Sequence, residues 1–183
     1  MTLDDLALLL ETAGATTVLV DGRSGAGKTT LADSLQRRWT GSAVVRLEDI
    51  YPGWDGLAAA VDHLHGELLL PRSQNRPARW RRWDWVADRP AEWHAVDADR
   101  LIVEGVGALC AGNHELADVG IWIEMDDEMR KYRALQRDGD TFRPHWDRWA
   151  RQEDDLIARF EPRDQADFIV TEGADGRVWI DPA

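Results

Sequence analysis

The sequence predicts an α/β fold in which a parallel sheet is flanked by helices on both faces. Three observations predict it. Short apolar runs alternate with amphipathic helical stretches, those runs have the continuously apolar character of buried strands, and the first strand–helix junction is a glycine-rich turn. Leu3, Leu6, Ala7, Leu10 and Ala13 recur at helical spacing, giving a lead-in helix over 3–13. Residues 16–20 form the first strand, ending on Asp21-Gly22, and a helix with Leu31 and Leu35 in phase runs from Lys28 to about residue 39. Residues 43–47 read as the second strand, broken by Pro52-Gly53, and residues 57–69 as a helix stopped by Pro71. The stretch 72–94 is rich in Arg and Trp and reads as irregular. Strands at 100–103 and 120–123 follow, then a charged helix over 126–137 and a polar break holding Gly139 and Pro144. A helix over 145–160 and late strands at 167–170 and 178–180 complete the pattern, with no repeat or linker, so one domain over 1–183 is expected.

Composition narrows the function classes. The chain has 183 residues, 44% apolar and 31% charged, ample for a packed core. Thirty-four acidic against 22 basic residues give a net charge of -12, which argues against nucleic acid as a partner because counterion release needs a basic footprint. No apolar run approaches the roughly 20 residues of a bilayer span. The start, Met1-Thr2-Leu3-Asp4-Asp5, lacks the basic lead of a signal peptide. A single cysteine, Cys110, makes neither an internal disulfide nor a multi-cysteine metal site. The expectation is a soluble cytoplasmic protein without membrane or nucleic-acid partners, its oligomeric state left open. Only two of the basic residues are lysines, Lys28 and Lys131, and ten tryptophans are many for this length.

Gly22-Arg23-Ser24-Gly25-Ala26-Gly27-Lys28-Thr29 fits the G-x-x-x-x-G-K-[ST] phosphate-loop pattern without a mismatch, and Thr30 follows it. Such a loop turns bare backbone N–H groups toward phosphate oxygens and aims the next helix's positive end at the same anion. Lys28 would reach the β- and γ-phosphates of ATP or another nucleoside triphosphate, and the Thr29 hydroxyl would ligate Mg²⁺. The fold expected is therefore the P-loop NTPase fold. No Asn-Lys-x-Asp guanine segment occurs, and the size suits a small-molecule kinase, which also needs a base, metal-binding acids, an acceptor pocket and a cationic lid. Glu48 and Asp49 end the second strand, where ligands gather in doubly wound sheets, and Glu104 ends an apolar strand ahead of Gly105. Arg130, Arg133 and Arg137 share one helical face; either they meet phosphate or they pair with Asp126, Asp127 and Glu128.

At this point the chain resembles the uridine kinase branch of P-loop kinases. The resemblance rests on the segment Asp21–Thr30, on Glu48-Asp49-Ile50-Tyr51 and on Leu101-Ile102-Val103-Glu104-Gly105. It continues through the series Arg130, Arg133, Arg137-Asp138 and through Pro162 followed by Ala166-Asp167-Phe168-Ile169-Val170. These landmarks run in family order from about residue 17 to 171. The resemblance implies an ATP- and Mg²⁺-dependent kinase acting on a primary hydroxyl of a small molecule, with a helical lid near 138–150 and an acceptor-side insertion near 51–94. It also implies a carboxylate base beside the metal. Alignment on Tyr51 puts Glu48 at that base, where the family usually has Asp, with Asp49 one position later, so both are candidates. Trp83-Asp84-Trp85 resembles the family's aromatic–Asp–aromatic acceptor step; Asp88 lies near the place of a histidine common there, and the stretch from Tyr51 to Trp83 is shorter than usual.

Trp54 and Asp55 directly follow the acidic pair and are acceptor-side candidates, Trp54 by stacking and Asp55 by hydrogen bonding, though a turn pinned by an aromatic ring has the same sequence. Arg143 is the lid residue expected at phosphate beside Arg133 and Arg137. Arg72, Arg76, Arg79, Arg81 and Arg82 either clamp an anionic acceptor or form a solvated stretch stacked on Trp80 and Trp83. The first reading leads to a nucleoside monophosphate or other metabolite kinase. A non-catalytic nucleotide-binding module is the alternative from another class.

Overall fold

The computed structural model describes residues 1–172 and 178–183. A six-stranded sheet forms the centre. Its strands are β1 (Thr17–Gly22), β2 (Ser42–Arg46), β5 (Arg100–Glu104), β6 (Val119–Glu124), β7 (Phe168–Glu172) and β8 (Val178–Pro182), in the order β2-β5-β1-β6-β7-β8. All pairs are parallel except β7 with β8, so the sheet is mixed at one edge rather than wholly parallel. Alternate side chains leave opposite faces. Leu19, Leu101, Val103 and Trp122 join a core with Leu57, Leu64 and Leu68 on one face. Val18, Val20, Ile102 and Ile121 join Leu6, Leu10, Leu35 and Trp39 on the other. Burial on both faces is why these strands read as continuous apolar runs.

Helix α1 (Leu3–Ala13) is closed by a Thr2–Asp5 capping box and a left-handed Gly14. Helix α2 (Lys28–Gln36) springs directly from the glycine-rich turn. Helix α3 (Leu57–His63) continues through a π-helical stretch at Leu64–Leu69 into α4 (Leu70–Ser73). Helix α5 (Asp127–Phe142) outlasts its expected end, kinks at Gly139 (φ 52°, ψ -130°), and reaches α6 (Trp146–Phe160) through a turn at Arg143–His145.

The stretch expected to be irregular is a β-hairpin. β3 (Arg79–Asp84) pairs antiparallel with β4 (Arg89–Ala95), apart from the main sheet. Its glue is cross-strand polar and aromatic contact: Trp80 stacks on His94 with ring centroids 4.4 Å apart, Arg79 lies over Trp93, and Arg82 pairs with Glu92 at 2.6 Å. Period-two alternation was hidden because neither face of this ribbon is uniformly apolar.

Candidate phosphoryl-transfer site

The phosphate loop joins β1 to α2 at the carboxyl end of the sheet. Gly25 has φ +84°, and a Cβ there would lie 2.0 Å from the Arg130 carbonyl oxygen, so only glycine lets the loop lie against α5. Lys28 is buried, and its Nζ donates to the carbonyl oxygens of Gly22 (2.7 Å) and Arg23 (2.9 Å). Burial lowers its pKa, while Glu104, Glu153 and Asp21 push the other way. On the neighbouring strand, Glu104 is 3% exposed and accepts the Thr29 hydroxyl at 2.9 Å. Burial raises its pKa against the opposing pull of Lys28 and the Thr29 hydrogen bond. An ammonium and a carboxyl, each held out of water beside glycine-rich backbone, are an arrangement suited to a phosphate and a divalent cation.

Asp21, the last side chain before the loop, is 1% exposed. It accepts the N–H groups of Gly22 (2.7 Å), Gly107 (3.0 Å) and Leu109 (2.9 Å). It thereby ties the loop to the turn after Glu104. Gly105 in that turn has φ +153° and a Cβ there would meet Leu47 Cβ at 2.4 Å, so the turn packs tightly under β2's exit. Tyr51 is buried, donates its hydroxyl to Val106 O at 3.0 Å, and meets Trp149 edge-on at 4.8 Å.

One cavity of about 710 Å³ gathers most of the candidate residues. Ser24, Gly25, Gly27, Lys28, Thr29 and Thr30 line its phosphate end. Glu48, Asp49 and Glu104 line it as well, together with Tyr51, Trp54, Arg133 and Arg137. Gly22 and Ala26 are not among the lining residues, and Ala26 is buried. Both lid arginines hold carboxylates: Arg133 bonds Glu172 (2.7 and 2.9 Å), and Arg137 bonds its neighbour Asp138 (2.8 and 2.7 Å). Asp138, with Glu48 and Glu104 adding to it, raises the Arg137 pKa further.

The other candidates lie outside this cavity. Arg23 turns to Glu153 and Asp154, and Arg143 lies on the exposed side of the lid turn, 4.0 Å from Asp140. Asp55 pairs with Arg148 of α6. Asp84 spends its carboxylate on the N–H groups of Val86 and Ala87, both 3.0 Å, which shapes the hairpin turn, and Trp83 belongs to the hairpin.

Trp85 takes the place beside the acids: it lines the cavity, donates Nε1 to Glu48 O at 3.0 Å, and packs 5.0 Å from Trp54. Trp54 also stacks on His145 (4.4 Å) and Phe142 (5.4 Å). Trp149 and Phe142 line the cavity as well. The only signal for Trp149 was the surplus of tryptophan, which does not say which rings meet, and Phe142 had none.

Of the arginine-rich stretch, Arg72 holds the oxygens of Thr17, Ala98, Thr16 and Asp99, Arg79 pairs with Glu67, and Arg81 bonds Ala91 O. None of Arg72, Arg76, Arg79, Arg81 and Arg82 lines the cavity.

The residues present fit Mg²⁺ in one respect that matters. Among the described residues no three acidic, histidine or cysteine side chains converge into a metal cage. Mg²⁺ is commonly held by one or two protein oxygens together with phosphates and waters, and the Thr29–Glu104 pair supplies that number.

No protein-family model matches the chain. It is 27% identical to a uridine kinase of Latilactobacillus sakei across 88% of both chains. It is 28% identical to a uridine kinase of Staphylococcus epidermidis, covering 91% of this chain and 92% of that one. A solved structure described as a possible uridine kinase from Bacillus stearothermophilus superposes with a TM-score of 0.64 at 19% identity, covering 91% and 96% of the two chains. The chain thus has the P-loop kinase fold and is similar, along about nine-tenths of its length, to proteins curated as uridine kinases.

Proposed function

We propose that this protein is an ATP- and Mg²⁺-dependent cytoplasmic kinase that moves the γ-phosphoryl group onto a hydroxyl of a small uncharged acceptor of nucleoside type. The observation that carries the reading is the single cavity in which Lys28, the loop backbone, the Thr29–Glu104 pair, the acids at 48 and 49 and a wall of aromatic rings converge. Similarity to curated uridine kinases supports the same reading.

In this proposal Lys28 exchanges the Gly22 and Arg23 carbonyls for phosphate oxygens, a trade of neutral acceptors for charged ones. Arg137 likewise exchanges Asp138 for the phosphate and neutralises charge that spreads over the transferring group. A bound Mg²⁺, held by Thr29 and Glu104, supplies charge neutralisation on the phosphates. Glu48 or Asp49 accepts the acceptor's hydroxyl proton as the new O–P bond forms and the bond to the leaving diphosphate breaks. The Trp85 Nε1–Glu48 O hydrogen bond holds that acidic turn in place.

The acceptor end explains why we choose an uncharged molecule. Among the described residues the cations lining the cavity are Lys28, Arg133 and Arg137, and none of the Arg72–Arg82 arginines is among them, four of these holding internal partners. A nucleotide or phosphosugar acceptor would lack a guanidinium clamp there. ADP release measured over a panel of nucleosides, nucleotides and sugars with MgATP tests this. Turnover confined to an uncharged alcohol is expected, and turnover on phosphorylated acceptors alone would overturn the acceptor assignment. No release with any panel member would overturn the kinase assignment.

A further inference from the structure

Glu153 lies on α6, far in sequence from every motif of the site, and it is 0% exposed. Burying a carboxylate costs several kcal/mol unless charges and donors compensate it. Here Oε1 accepts the backbone N–H of Ser24 at 2.9 Å, Oε2 accepts Arg23 Nε at 3.2 Å, and Arg130 Nη1 stands 3.6 Å from Oε2. Arg130 is itself buried, tied to Asp127 at 2.6 Å, and its backbone carbonyl presses on Gly25. Simple glue between α6 and the loop would be achieved more cheaply by an apolar side chain of similar volume.

The Ser24 N–H belongs to the peptide unit whose carbonyl is Arg23 O, and Arg23 O accepts Lys28 Nζ. A trans peptide directs its C=O and N–H to opposite sides. One peptide plane in the loop is therefore gripped from both sides, by Lys28 and the Ala26 N–H (3.1 Å) at the oxygen and by Glu153 at the nitrogen. If Lys28 leaves that oxygen for a nucleotide, the oxygen keeps only the Ala26 N–H at 3.1 Å, and Glu153 is the one side chain still holding the plane.

We infer that Glu153 is a positioning residue for nucleotide binding: it fixes the Arg23–Ser24 peptide plane so that the loop keeps its shape once Lys28 is transferred to phosphate. The inference rests on the nucleotide-binding reading given above. Arg23 and Arg130 face the Glu153 charge, which also favours the Lys28 ammonium, so the charge-removing Gln variant separates geometry from potential.

The test compares wild type, Glu153→Gln and Glu153→Ala by calorimetry with MgATP, alongside the acceptor KM. Gln keeps an oxygen for the Ser24 N–H and removes the charge; Ala removes both. The expected result is a Kd for MgATP raised about tenfold or more in Glu153→Ala, within about threefold of wild type in Glu153→Gln, with acceptor KM little changed. MgATP bound by Glu153→Ala as tightly as by wild type, or more tightly, overturns the inference. So does a parallel rise in nucleotide Kd and acceptor KM, the mark of general loosening. If wild type itself binds no MgATP, the nucleotide reading fails instead, a separate outcome. Should Glu153→Ala not fold, amide exchange of the nucleotide-free wild type decides: a protected Ser24 N–H is expected, and exchange at the rate of an open loop overturns the inference.

Discussion

Replacing Lys28 with alanine should separate turnover from stability. In the folded chain the ammonium makes two hydrogen bonds to carbonyls, at 2.7 and 2.9 Å. Bonds to a charged group are worth about 1.5–3 kcal/mol each, so their loss costs a few kcal/mol. Against this stands the desolvation of an ammonium that is only 9% exposed, itself several kcal/mol, which the substitution relieves. The lowered Lys28 pKa is the signature of that penalty. The two nearly offset, leaving a net change within about 2 kcal/mol, or a melting temperature within about 8 °C of wild type for a chain of this size. Catalysis has no such compensation. Loss of one preorganised donor from a charged transition state lowers kcat by about 10²–10³-fold. The assay is coupled ADP release with the best acceptor, beside thermal unfolding of the same samples. A variant that unfolds normally yet keeps turnover within about tenfold of wild type would refute the role given to Lys28.

Asp21 and Trp54 carry two further predictions. Burial raises the Asp21 pKa from 3.8 to about 6, with its three backbone donors opposing the rise. The folded state therefore holds a proton there that the unfolded state has released, and stability present below about pH 4 is lost as the pH rises through 6, by on the order of 3 kcal/mol. Denaturant titrations between pH 4 and 7 should show this loss in wild type and not in Asp21→Asn; identical pH profiles would contradict it. Trp54 stacks on His145 and Phe142 and meets Trp85 and Trp149, pairs worth about 0.5–1.5 kcal/mol each. Trp54→Ala should raise the acceptor KM at least about tenfold while leaving MgATP affinity within about threefold, and an unchanged acceptor KM would remove Trp54 from the acceptor wall.

The proposed phosphate end of the site was legible in the sequence because recognition of an anion there would be done by backbone. Main-chain N–H groups can face an anion only if the residues are small and contiguous, so Gly22 to Thr29 leave an unbroken signature. The helices and buried strands were legible for a related reason: each buries a regular set of side chains, and period records it. The hairpin at β3 and β4 was not, since its stabilising contacts are Arg–Trp, Trp–His and Arg–Glu pairs across the strands, which give no apolar face. Asp84 shows the limit of motif matching. It sits in an aromatic–Asp–aromatic step, yet its carboxylate holds turn amides while Trp85, one residue on, faces the cavity. Glu153 carries no sequence signal at all, being one acid among several on a charged helix.

The aromatic wall proposed for the acceptor is assembled differently from the glycine-rich loop. Its rings come from Tyr51 and Trp54 after β2, from Trp85 at the hairpin turn, and from Phe142 and Trp149 on the two lid helices. Ties that cross from the loop after β2 to the lid helices include the Trp54 stacks, the Tyr51–Trp149 edge contact, the Asp55–Arg148 ion pair, and Gln152 Nε2 donating to Trp54 O at 2.8 Å. Lid and acceptor loop therefore cannot part without giving up aromatic, ionic and hydrogen-bond contacts together. The kink at Gly139 lies within the lid, between Arg137 and Phe142, so rotation there would carry the guanidinium and the aromatic wall by different amounts. If the proposed acceptor binds against these rings, its selectivity would depend on how closely loop and lid join. A substitution at Arg148 or Gln152, neither of which lines the cavity, would act on it as directly as one in the wall itself.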